Sequence, residues 1–96
     1  MGEAVAIDPQ AATLWEELGD ALFECRDYAS SITAYEHCFV ALPDRIELLR
    51  KIGDCYLSNG QPQAAAVAYE AVLEKDGNHP LIRERLVKAK REMGKK

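Results

Sequence analysis

Residues 12–45 read ATLWEELGDALFECRDYASSITAYEHCFVALPDR, and residues 46–79 read IELLRKIGDCYLSNGQPQAAAVAYEAVLEKDGNH. Laid over each other at a shift of 34 residues, they share six identities: Leu14 with Leu48, Gly19 with Gly53, Asp20 with Asp54, Ala34 with Ala68, Tyr35 with Tyr69 and Glu36 with Glu70. Chance supplies about two identities over such a length, so the period is a property of the chain. Conservative pairs fill the gaps: Trp15/Leu49, Leu18/Ile52, Leu22/Tyr56, Ser31/Ala65, Cys38/Val72 and Phe39/Leu73. Inside each unit the apolar residues recur at spacings of three and four, which is helical. Leu14, Trp15, Leu18, Leu22 and Cys25 make one such stripe, and Ile32, Tyr35, Cys38, Phe39 and Leu42 the next. A narrower stripe, Ile82, Leu86, Ala89 and Met93, follows the second unit. No run alternates with period two, so an all-α chain is expected.

Turn and cap residues agree with that reading. Asp8-Pro9 sets an N-cap acceptor before a proline at the first helical position, where no N–H is lost. Asp27 can cap a helix from Tyr28, and Asp44 with Glu47 fits a capping box. Asn59-Gly60 reads as a helix C-cap, since glycine accepts the left-handed conformation cheaply. Gly77-Asn78 closes one helix, and Asn78 with Pro80 opens another. Five helices of roughly 12 to 15 residues result, and their short links force neighbours to run antiparallel. Gly19 and Gly53 are costly inside helices, by about 1 kcal/mol against alanine. Close helix approach at those points, and at Ser31 and Ala65, explains them. Trp15, Leu22, Tyr35, Tyr56 and Tyr69 are expected to fill the flanking space.

The pattern Trp15-x2-Leu18-Gly19-x2-Leu22, then Ser31-x3-Tyr35, then Pro43 resembles the tetratricopeptide repeat. The second unit follows with Leu49-x2-Ile52-Gly53-x2-Tyr56 and Ala65-x3-Tyr69. It departs at Pro62, where a tyrosine is usual, and at Gly77, where a proline is usual. The resemblance implies antiparallel helix-turn-helix repeats stacked as a right-handed α-solenoid, in a single domain. Residues 3–11 are then the tail of a preceding repeat and a linker, 12–45 repeat one, 46–79 repeat two and 80–93 a capping helix. In that last helix Val87 replaces the glycine and Lys90 the aromatic, and a charged outer face suits a unit that must meet water.

Composition bounds the rest. The chain has 96 residues, is 48% hydrophobic, carries three cysteines and has a formal charge of −4. That is one small domain, too apolar to be disordered. No run approaches the roughly 20 apolar residues of a membrane helix, and Met1–Val5 lacks the start of a signal peptide. An odd cysteine count without a Cys-x-x-Cys pair argues for a cytoplasmic or other reducing intracellular compartment. The charge is uneven: residues 1–80 hold 5 Lys/Arg against 14 Asp/Glu, and residues 81–96 hold 7 against 2.

Nothing in the sequence reads as a reaction centre, and neither a cofactor nor a metal is expected. Cys38 and Cys55 stand at small packing positions, Cys25 near a helix end, and His37 one position round toward solvent. A closed zinc site usually wants four ligands at tight spacing. Glu16, Glu17 and Asp20 form an acidic patch on an open helix face, expected to be solvated. The resemblance implies a non-catalytic protein–protein interaction module whose first helices line a concave groove for a peptide or protein segment. Carried over by register, the groove positions are Thr13, Glu16, Glu17, Asp20 and Phe23, then Glu47, Arg50, Lys51, Asp54 and Leu57, then Leu81, Glu84, Arg85, Lys88 and Arg91. The groove would grade from acidic to basic, with Phe23 and Leu57 as apolar footholds. Some relatives clamp a chaperone tail's carboxylate there with lysine and asparagine; Glu16 and Asp20 would repel it. Recruitment or self-assembly within a larger protein is the alternative, since open solenoid ends expose faces that neighbours would cover. Nucleic-acid or membrane-surface contact through the basic final helix ranks below it, opposed by the acidic body.

Overall fold

The computed structural model describes residues 9–77 and 79–94. They form five α-helices: α1 (Pro9–Glu24), α2 (Tyr28–Ala41), α3 (Ile46–Ser58), α4 (Pro62–Lys75) and α5 (Pro80–Met93). Each helix packs against the next in sequence, giving a helical repeat solenoid with no strand among the described residues. The expected Asp8 cap, residues 3–8 of the expected tail and linker (3–11) and the Asn78 turn lie outside the described residues, while residues 9–11 are the start of α1 and not a linker.

Two apolar clusters hold the stack, each formed where one repeat meets the next helix. Ile32, Tyr35 and Cys38 of α2 join Leu48, Ile52 and Cys55 of α3. One period later, Ala65, Ala66, Tyr69 and Val72 of α4 join Ile82 and Ala89 of α5. The small-residue reading of Cys38 and Cys55 is thus met, both being fully buried thiols.

The glycines answer to the tyrosines. A Cβ on Gly19 would sit 2.6 Å from the Tyr35 ring, and one on Gly53 would sit 2.7 Å from the Tyr69 ring. Both rings are buried, so neither can swing aside. Beside the first of these contacts the fully buried Ser31 Oγ donates to the Gly19 carbonyl at 2.7 Å. With that proton committed, the Cys55 thiol is left to donate to Ser31 Oγ across 3.4 Å. One hydroxyl therefore ties the two helices of repeat one to the first helix of repeat two.

Helix ends follow the sequence in part. Asp27 accepts from Ser30 N, and Asn59 caps α3 with Gly60 at φ +77°, as expected. In the corresponding turn of repeat one the left-handed residue is Arg26, at φ +67°. The same closing bond forms in both turns, Asp27 N to the Leu22 carbonyl and Gln61 N to the Tyr56 carbonyl. The capping box at Asp44 does not form. Arg45 is the N-cap of α3 without a side-chain cap bond, because Glu47 turns to Arg45 and Arg50 instead. The helix α4 ends on Asp76 as its C-cap rather than at Gly77. Trp15 also departs from expectation: it is not packed inside but 36% exposed, stacked on His37 with ring centroids 4.5 Å apart. Leu14 and Leu18 beside it are 65% and 45% exposed, whereas their counterparts Leu48 and Ile52 are buried in the cluster with α2. Among the described residues no helix precedes α1 to cover that face.

Gly53→Ala gains helix propensity but drives a methyl into a boxed ring, so we expect a net loss of about 1–3 kcal/mol. Arg26→Gly relieves a left-handed residue and should gain about 1 kcal/mol. Urea midpoints of the two variants against the parent chain measure both.

Candidate functional site

The helices α1, α3 and α5 present their polar edges along one side of the stack. Two adjoining hollows lie there, sharing Phe23 and Asp54. The first, about 170 Å³, is lined by Asp20, Phe23, Tyr35, Arg50, Lys51 and Asp54. The second, about 370 Å³, is lined by Phe23, Asp54, Leu57, Ser58, Arg85 and Lys88. Of the residues expected on a groove, Asp20, Phe23, Arg50, Lys51, Asp54, Leu57, Arg85 and Lys88 thus come together. Tyr35 and Ser58 join them without having been expected.

The others lie off these hollows. Glu47 lines a separate hollow of about 280 Å³ with Arg50, Ile46, Val72, Asp76 and His79. Glu16 is a half-buried ion-pair partner, and Thr13, Glu17, Leu81, Glu84 and Arg91 are exposed along the helices. Phe23 and Leu57 are half-buried, each resting on a core cluster while showing an edge to the hollows.

Of the acidic patch, Glu17 is exposed as expected, but Glu16 and Asp20 are held by cations. Arg45 grips Glu16 with both guanidinium nitrogens, at 2.7 and 3.2 Å, and Lys51 Nζ reaches the same carboxylate at 2.8 Å. Lys51 also donates to Asp20 Oδ1 at 3.1 Å and stands 5.6 Å above the Tyr35 ring. Asp20 in turn accepts the Tyr35 hydroxyl. The arrangement returns one period later: Asp54 accepts from Tyr69 at 2.5 Å and from Arg85 at 2.5 Å, with Arg50 at 3.1 Å. In both copies the aspartate sits on a first helix, the tyrosine on its own second helix and the cation on the next first helix. The sequence carried the signal, since both aspartates and both tyrosines are identities in the repeat. The cation is not an identity of the repeat, because lysine stands in one copy and arginine in the other.

These contacts set the protonation states. The paired Arg45 guanidinium, outweighing burial, holds the Glu16 carboxyl below the usual carboxylate range, with Lys51 helping. Burial works against the charge on Lys51, but its bonds to Glu16 and Asp20 carry its pKa above the ordinary value. Burial and the adjoining carboxylates push the hydroxyls of Tyr35 and Tyr69 well up, so both remain donors. Burial likewise raises the Cys38 and Cys55 thiols, which suits packing and opposes nucleophilic use. No three His, Cys, Asp or Glu side chains among the described residues are placed to hold a metal ion. No helix among them is long and apolar enough to cross a membrane.

The charge grade along the groove changes accordingly. Its carboxylates at Asp20 and Asp54 are already neutralised by cations from the following repeat, and four cations line the two hollows against these two acids. The hollows are therefore net basic, and among the described residues Lys88 has no ion-pair partner.

Because Glu16 titrates below its unfolded value, it stabilises the fold fully above about pH 5, and the contribution is lost as pH falls through its folded pKa. Glu16→Gln should lower stability by about 1–2 kcal/mol at pH 7 and flatten the decline in acid. Thermal melts from pH 7 to pH 3 on both chains measure it.

Two tetratricopeptide-repeat family models match the chain, one over residues 12–39 and the other over residues 46–89. No curated protein matches it.

Proposed function

The chain belongs to the tetratricopeptide repeat family, whose repeats mediate protein–protein interaction, and from this premise we propose a non-catalytic role in holding a peptide segment. The segment lies along α1, α3 and α5, its apolar side chain against Phe23 and Leu57 and an acidic side chain against Arg85 and Lys88. The observation that carries this reading is the pair of adjoining hollows, which have an apolar floor and a cationic surplus. A peptide laid there meets half-buried apolar edges that gain by full burial. It also meets the Lys88 ammonium, which has no ion-pair partner among the described residues and favours carboxylate without first having to break such a pair. Two buried thiols and one exposed, none paired, fit the reducing compartment read from the cysteine count.

A displayed peptide library panned on the chain tests the reading. Enriched peptides should carry an apolar residue near an acidic one. Their affinity should fall about tenfold on Leu57→Ala or Lys88→Ala, while Val67→Asp, on an exposed face of α4, leaves it unchanged. Peptides that bind equally well to all variants would place recognition elsewhere.

A further inference from the structure

The two ends of the stack complement each other. On α1, Leu14, Trp15 and Leu18 share one exposed face, with Ala21 and Cys25 continuing it toward the C-terminal end. At the same repeat positions Leu48 is covered by α2 and Ile82 by α4, both 0% exposed. The bare positions of α1 are thus built as a helix-packing surface. The helix α5 has the converse exposure: Val87, at the position of the repeat glycine, is 53% exposed.

Charge distinguishes the two ends. The helix α1 carries Glu16, Glu17, Asp20 and Glu24 and no Lys or Arg; α5 carries five Lys or Arg against Glu84 and Glu92. The repeat register sharpens the contrast. Within the stack, a first helix offers an aspartate (Asp20, Asp54) to a cation on the next first helix (Lys51, Arg85). At the aspartate's position α5 has Lys88, and at the cation's position α1 has Glu17. The pair is reversed in sign at both ends at once. Among the described residues neither Glu17 nor Lys88 has an ion-pair partner.

We propose that α5 of one copy docks on the α1 face of a second copy, head to tail, with Lys88 paired to Glu17 and Val87 set against Leu14 and Leu18. Such an interface is heterologous, so each added copy leaves a free α1 at one end and a free α5 at the other. An isologous α1-to-α1 contact would instead set Glu17 near its own copy and leave it without a cation. This assembly shares Lys88 with the peptide reading but uses neither Phe23 nor Leu57, so the apolar footholds of the peptide site tell the two apart.

Charge reversal on the full chain tests it by sedimentation velocity across concentration, with far-UV circular dichroism confirming unchanged helicity. Wild type should self-associate more weakly as salt rises. Glu17→Lys alone and Lys88→Glu alone should each weaken association by about tenfold. The double variant, and an equimolar mixture of the two single variants, should return to within about threefold of wild type. Trp15, the sole tryptophan, should shift its emission to the blue on association in wild type and in the mixture, but not in either single variant. Leu57→Ala should leave association unchanged, which separates this outcome from failure of the peptide site. A wild-type chain that stays monomeric at millimolar concentration would overturn the proposal. So would association indifferent to Lys88→Glu, the mark of an α1-to-α1 contact, or a mixture that fails to recover.

Discussion

The rings of Tyr35 and Tyr69 lie against Gly19 and Gly53 at distances that no Cβ would permit. That contact fixes how closely the two helices of each repeat approach, and the approach decides what the rest of each tyrosine meets. Each hydroxyl arrives at the aspartate following the glycine, Asp20 or Asp54. Each aspartate then has acceptor capacity left for a cation from the next repeat. A steric constraint within one repeat thus becomes an electrostatic bond between repeats. Nearest-neighbour coupling is what holds a solenoid together, since it has no single central core.

The same bond governs what the surface can recognise. Carboxylates that count as free acid in the sequence are tied to Arg45, Lys51, Arg50 and Arg85 in the structure. An incoming cationic segment would have to displace an internal partner from Glu16 or Asp20, whereas an anionic one meets Lys88, which pairs with no described residue. Coulomb attraction between partly buried partners is less screened than between fully exposed ones, so the internal pairs hold their claim on the acids. The chain's overall acidity therefore says little about the sign of its groove.

Most of the architecture was legible in residue spacing. The 34-residue identities located both repeats, the 3–4 stripes located all five helices, and the in-register glycines announced the close approaches. The glycine at position 60 foretold a left-handed turn, but Arg26 in the equivalent turn did not, because the closing backbone bonds hold that conformation in a residue that does not favour it. The Asp44 cap failed for a related reason: Glu47 had a stronger partner in two guanidinium groups than in a backbone N–H. Trp15 was read as core because the repeat pattern places it there, and the pattern is silent about whether a neighbouring helix exists to cover it.

Sequence alone determined the helices, their pairing and the period of the stack, because these follow from apolar spacing and from glycine, which act locally or at fixed offsets. Only the tertiary structure decided which charges remain available. Ion pairing depends on side chains 29 to 35 residues apart meeting across a helix interface. The sign of a residue is written in the sequence, but whether another residue has already answered it depends on distance.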